Sequence, residues 1–234
     1  MRLNKKKYKS YDNSVVKKPW GEEYNIFRNK KKIAITYLKI KKGKSTSLHC
    51  HPNKKTGFLI LSGIAKVQLG IYKKNTFTYK PMSILVLRAG LFHKIRASNK
   101  HDLYALEVEN PYLKKDLIRM EDNYGRKGKN YENLNNAKKI TNENTIFLKP
   151  NENDSNTYYL NGIKITLSYY KNFSKWKTKD KTVSIILDGL MIDKKKKVVI
   201  KEGEIVKSST LKKLSQIFKV KDQILILKAE KIKN

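Results

Sequence analysis

The sequence predicts an all-β chain of two barrel-like halves, and three observations carry that prediction. Short apolar runs recur along the chain with turn signals between them. Helical periodicity is absent until a weak stretch at Leu211 to Lys219. A polar segment rich in Asn and Lys, residues 121 to 157, then interrupts the rhythm, which resumes afterwards. The 234 residues suffice for two barrels of about 100 residues each.

In order, the expected strands are Ile33 to Ile40, Gly57 to Leu61, Ile64 to Ile71, Ser83 to Leu87 and Asp102 to Val108. Ile33-Ala34-Ile35-Thr36-Tyr37 and Ala65-Lys66-Val67-Gln68-Leu69 show the period-two alternation of a strand. Many short strands imply a sandwich or barrel. After the polar segment come Gly162 to Tyr170, Thr182 to Leu187, Lys197 to Ile200 and Gln223 to Leu227. Asp188-Gly189-Leu190 follows its apolar run as Ser62-Gly63-Ile64 follows Phe58 to Leu61, so the halves read as related. The expected domains are residues 1–126 and 158–234, joined by a linker at 127–157. The second half contains no histidine and is expected to be degenerate.

Lys and Arg number 53 against 20 Asp and Glu, a formal charge of +33. The lysines are spread over nearly every segment, many alternating with apolar residues as a strand's solvent face does, which suits a compositional bias. The runs Lys5–Lys7, Lys30–Lys32 and Lys194–Lys197 read as solvated tips. No basic helical stripe, zinc-finger spacing or aromatic stacking motif appears, so nucleic acid is not the expected partner. A small anionic substrate is compatible with the charge. One cysteine, Cys50, excludes an internal disulfide. No apolar stretch follows the N-terminal Met-Arg-Leu-Asn-Lys-Lys-Lys and no window has the length of a membrane span, so a cytoplasmic protein without a membrane segment is expected.

The chemistry is concentrated in three of the four histidines. His49 and His51 are one residue apart, so on an extended strand both imidazoles share a face while Cys50 takes the other. His93 follows Gly90, which permits a tight turn into a neighbouring strand. Together they form a candidate facial triad with open positions. His101, in a polar hairpin-like stretch, is expected to be solvated. Glu107 and Glu109 share a strand face; Glu107 is a candidate base, although both are also expected to pair with surplus lysines.

These residues resemble the motifs of the cupin superfamily. Gly43, then five residues, His49-Cys50-His51 and the closing Gly63 match its first motif, with Thr56 where that motif has glutamate. Arg88-Ala89-Gly90-Leu91-Phe92-His93 resembles the second, keeping Gly90 and His93 but not the proline or the downstream asparagine, here Ala97. Residues 15 to 126 further resemble the cupin domain of type II phosphomannose isomerases, often fused to mannose-1-phosphate guanylyltransferases. Lys18-Pro19-Trp20-Gly21, Ser47-Leu48-His49, Leu61-Ser62-Gly63 and the segment Asp116 to Arg126 carry that resemblance.

The resemblance implies two tandem cupin barrels (double-stranded β-helix, jelly-roll), the second degenerate. It implies a divalent transition metal on His49, His51 and His93, with Zn, Fe, Mn, Ni and Co all suiting three imidazoles. The implied activity is a metal-dependent aldose-ketose isomerisation of a sugar phosphate like mannose 6-phosphate, with a base moving a proton between C1 and C2. Glu107 is then the catalytic base, and Lys55 the catalytic-site cation for phosphate. Lys54, Thr56, Trp20 and Arg119 are the expected substrate contacts. Loss of a carboxylate at Thr56 leaves a divalent ion less well neutralised. Arg119 and Arg126 are candidate phosphate clamps, with an internal salt bridge to Glu121 or Asp122 as the plainer expectation. The alternatives are an epimerase or other cupin reaction in surface-polysaccharide synthesis, and a non-catalytic sugar-binding or regulatory bicupin. Pairing of such cupins through strand edges makes a homodimer the expected assembly.

Overall fold

The computed structural model describes residues 13–127, 137–174, 176 and 181–232. The Lys5–Lys7 run and residues 128–136 of the expected linker lie outside the described residues. The first half contains β1 (Ser14–Lys18), β2 (Gly21–Asn29), β3 (Ile33–Ile40), β4 (Leu48–Cys50), β5 (Lys55–Ser62), β6 (Ala65–Leu69), β7 (Thr76–Tyr79), β8 (Ile84–Leu87), β9 (His93–Ala97), β10 (Leu103–Asn110) and β11 (Ile118–Glu121). Then follow β12 (Ala137–Lys139), β13 (Ser155–Leu160), β14 (Ile163–Tyr170), β15 (Val183–Ile192), β16 (Val198–Ile200), β17 (Ile205–Lys207), α1 (Ser208–Leu214) and β18 (Lys219–Lys231).

Two antiparallel sheets face each other in the first half. The larger has the order β12-β1-β2-β3-β10-β5-β8 and the smaller β11-β4-β9-β6-β7. Their inner faces meet in one apolar cluster: Leu38, Ile40, Phe58, Ile60, Leu103 and Ala105 from the larger sheet, Val67, Ile95 and Ala97 from the smaller, and Trp20 from the β1–β2 turn. Every expected strand is present, and the two-sheet barrel is that of the cupin fold.

Strands β3, β5 and β10 are apolar in both phases of their alternation. Their inward residues fill the barrel, while Ile33, Ile35, Leu59, Leu61, Leu106 and Val108 point the other way and are fully buried too. What covers them is the second half, a six-stranded antiparallel sheet of order β13-β14-β18-β15-β16, with β17 pairing β15. Ile163, Ile165, Leu167, Val183, Ile185, Leu225 and Leu227 pack against the barrel's outer face in a single cluster. The opposite phase of the same strands, Ile186, Ile224 and Ile226, packs on Leu211 of α1 and Trp176. At about 25 cal/mol per Å² of apolar surface, two doubly buried sheets are worth far more than the rim ion pairs between the halves.

Of the stretch read as a linker, Ala137–Lys139 adds a strand to β1 and Phe147 is buried in the shared cluster, donating its N–H to the Ile26 carbonyl. The two expected hairpin glycines stand in similar places: a Cβ at Gly63 would meet the Asp102 carbonyl just before β10, and one at Gly189 the Gln223 carbonyl within β18. The helix lies at Ser208–Leu214 rather than at 211–219. The apolar spacing of Leu211, Leu214 and Phe218 runs on past its end, where the backbone turns into β18.

Candidate metal centre

One end of the barrel interior is an apolar plug and the other is polar, because each strand changes character at the same level. On β10 the inward series runs Leu103, Ala105, Glu107, Glu109; on β9 it runs Ala97, Ile95, His93. His49 of β4 stands directly across the ladder from His93 of β9, and His51 follows on the same face. The three ring centroids are 4.4, 5.0 and 5.4 Å apart, and one ligand nitrogen from each lies within 4.8 Å of the others. Gly90, at φ +76°, makes the expected turn before His93 and donates its N–H to the His51 carbonyl.

Each imidazole is oriented by a backbone carbonyl. Nδ1–H of His49 donates to Ser47 at 2.9 Å, that of His51 to Asp116 at 2.5 Å, and that of His93 to Leu91 at 3.0 Å. A carbonyl accepts only, so these contacts fix the proton on Nδ1 and leave Nε2 as a lone pair turned to the common centre. The Nε2 atoms of His51 and His93 are buried with no partner. A buried polar atom without a partner is costly, and two aimed at one point in a carbonyl-oriented triad fit a divalent transition metal. Burial holds all three imidazoles below the ordinary histidine range, His51 near 3 and His93 near 4, which keeps them in the neutral ligand form.

Across the cleft the larger sheet carries a ladder of buried charges. Glu109, 1% exposed, is held by the Lys54 ammonium on one oxygen and by Lys114 at 3.2 Å on the other, with Thr36 also donating to it at 3.1 Å. Lys114 continues to Glu23 at 3.8 Å and Lys18 to Glu23 at 3.5 Å. Burial opposes ionisation of Glu109, but Lys114 and Lys54 outweigh it and hold the carboxyl well below the usual range. Glu107 has no hydrogen-bond or ion-pair partner among the described residues. Burial and then the Glu109 carboxylate push it up to about 7.

The cleft brings together His49, His51, His93, Trp20, Lys54, Glu107 and Arg119, with Phe58 and Leu117 as apolar walls. Two expected residues stand elsewhere. Lys55 points to the second half and pairs with Glu204 at 2.8 Å, because alternation on β5 turns it away from its inward neighbour. Thr56 is buried directly across from Glu109, its hydroxyl without a partner and outside the cleft lining. Arg126 is clamped to Asp122 at 2.6 Å, the internal salt bridge expected, and His101 is exposed. Sequence reading missed Glu23, Lys18 and Lys114. Lys18 and Glu23 flank the Pro-Trp-Gly turn and carried a signal; Lys114, brought in by the loop after β10, carried none.

No helix among the described residues is long and apolar enough to cross a membrane. Comparison with known proteins agrees with the geometry. Over 117 residues the chain is 29% identical to the xanthan biosynthesis protein XanB of Xanthomonas campestris pv. campestris, covering 47% of this chain and 23% of that protein. It is 30% identical to the alginate biosynthesis protein AlgA of Pseudomonas putida, covering 47% and 22%. The chain thus spans less than a quarter of the length of either relative. The capsular polysaccharide assembling protein CapF of Staphylococcus aureus shares 14% identity over 46% of this chain and 34% of that one, with a TM-score of 0.41. The cupin domain of Schizosaccharomyces pombe Cnp3 shares 15% over 39% and 64%, with a TM-score of 0.36. The family model described as mannose-6-phosphate isomerase C-terminal matches residues 4–122, the stretch that carries all three histidines of the triad, and the chain therefore belongs to that family.

Proposed function

We propose that this chain is a metal-dependent isomerase of a sugar phosphate, interconverting an aldose such as mannose 6-phosphate and its ketose. The observation that carries the reading is the pairing of three converging imidazole Nε2 positions with one unpartnered carboxyl, Glu107, in a single cleft. His49, His51 and His93 would hold the ion, which would supply positive charge to stabilise the negative charge that develops on the sugar oxygens. Glu107 as carboxylate takes the C2 proton, the C–H electrons form the C1–C2 double bond of an enediol, and Glu107 returns the proton to C1. The accompanying hydroxyl proton passes between the two oxygens. A group near 7 suits both halves of that exchange.

Trp20, Phe58 and Leu117 wall the sugar off from water, and Arg119, opposite His49 across the β4–β11 ladder, faces the phosphate. Lys54 acts by fixing Glu109 rather than by meeting substrate. The matched relatives' names place them in polysaccharide synthesis, which supports the same setting for this chain. The second half, a single six-stranded sheet and not the second barrel expected, is proposed to serve as scaffold.

The test is elemental mass spectrometry on protein purified without added metal or chelator, followed by a mannose 6-phosphate isomerisation assay. Near-stoichiometric metal lost in His49→Ala and His93→Ala, with turnover lost alongside, supports the reading. No metal after reconstitution with each candidate ion overturns it. Metal without turnover on sugar phosphates leaves a binding bicupin or an epimerase in its place.

A further inference from the structure

Strand β9 carries His93 and Ile95 into the barrel, so Lys94 and Arg96 stand on the outer face of the smaller sheet. Arg96 lies directly opposite Lys66 of β6, and Ser45, next to Lys44, bridges to Arg96 from the other side. Like charges directly opposite one another across strands destabilise a sheet. None of Lys44, Lys66 and Lys94 has an ion-pair partner among the described residues, and the one contact of the Arg96 guanidinium is to the amide oxygen of Asn99 at 3.2 Å. Glu121, two strands away on β11, pairs with none of them. Lys44, Lys94 and Arg96 border a concave site of about 320 Å³ that is separate from the histidine cleft. Gly43, Ser45, Asn123 and Tyr124 complete its lining, and no acidic residue enters it.

We infer that this cleft is a second binding site, for a phosphate-bearing anion of at least two negative charges. A single carboxylate leaves most of the local charge unbalanced, whereas a pyrophosphate or phosphate monoester meets the planar fork of Arg96 with two oxygens and leaves others for Lys94 and Lys44. The volume admits pyrophosphate or a phosphorylated sugar. Buried and half-buried lysines such as Lys54, Lys55 and Lys114 face carboxylates, whereas the half-buried Lys94 faces none among the described residues. The site and the metal centre occupy opposite faces of one strand, and the inference stands whether or not the histidine cleft is an isomerase.

The experiment is calorimetric titration of the full chain with pyrophosphate at roughly physiological ionic strength, where exposed long-range charge is largely screened. One site is expected, weakened at least tenfold by Lys94→Ala and by Arg96→Gln and unchanged by His49→Ala. Pyrophosphate is also expected to raise the wild-type unfolding temperature and to lose that effect in Arg96→Gln, which checks the site by a folding readout. The double substitution Lys212→Ala/Lys213→Ala removes two charges from α1 instead. If it weakens binding as much, the net charge rather than the cleft holds the anion and the proposal fails. It fails equally if pyrophosphate does not bind at millimolar concentration, or if malonate binds as tightly.

Discussion

Glu107 and Glu109 stand two residues apart on one strand face, yet their carboxyls are driven in opposite directions. Glu109 is gripped by Lys54 and Lys114 and ionises readily; Glu107, beside that fixed negative charge and without a cation of its own, is pushed up to about 7. Two consequences follow for Glu107. As the proposed base it works when deprotonated, so kcat/KM is expected to rise with pH through about 7, and Glu107→Gln to lower it by about 10² to 10⁴ and abolish that limb. In stability the sign is reversed. The folded chain keeps a proton that the unfolded chain, with its carboxyl near 4.5, releases. Glu107 therefore makes stability fall as pH rises from 4.5 to 7, and Glu107→Gln should flatten that stretch of a denaturation profile, gaining on the order of 1 kcal/mol at pH 8 after allowance for its partial exposure. Removing one cation from Glu109 is the harsher change. Lys114→Met leaves a buried carboxylate half-compensated, and a loss of about 3 kcal/mol in chemical denaturation is expected. The histidines were legible in the sequence because His-x-His spacing fixes a shared face whatever the surroundings. The opposite fates of two equally spaced glutamates were not, since they depend on a lysine that a loop brings in from outside the strand.

Among elements, the segment from β16 to β17 sets how the second half meets the barrel. Glu204 pairs with Lys55 at the start of β5, and the Glu202 carbonyl accepts from Asn110 at the end of β10, the two strands that bear Thr56, Phe58, Glu107 and Glu109. The apolar part of that contact is tighter. A Cβ at Gly57 would lie 2.3 Å from the Ile205 side chain, and one at Gly203 would lie 2.5 Å from Asn110. Ile205→Ala is expected to cost about 2 to 4 kcal/mol, whereas Lys55→Ala, whose partly exposed ion pair is worth little, should cost under about 1 kcal/mol. Equal losses in paired urea denaturations would show that the ion pair, not the packing, holds the two sheets. Half of the strands among the described residues were read from their apolar runs. β12, Ala137–Lys139, could not be, because three residues with a single small apolar one hold no alternation; it exists only because β1 offers an edge.

At the scale of the molecule, the barrel and the second sheet share one cluster of buried residues beside the barrel's interior cluster and the cluster under α1. Residues 1–126 alone would expose Ile33, Ile35, Leu59, Leu61, Leu106 and Val108 to water, an apolar patch far beyond what a soluble surface tolerates. That fragment is expected to aggregate, and the whole chain to unfold in one calorimetric transition; two separated transitions would contradict the shared core. The division into halves was legible as a change of composition. Their union was not read, although runs such as Phe58-Leu59-Ile60-Leu61 carried a signal for it: they are apolar at every position, and a strand facing solvent on one side has no use for that. For sequence variation, this means that neighbouring positions on β3, β5 and β10 answer to different constraints, one set by the histidine chamber and the next by a sheet a hundred residues further along the chain. A saturation mutagenesis map should therefore show unbroken intolerance along these three strands, and along β6 a tolerant Lys66 between intolerant Ala65 and Val67.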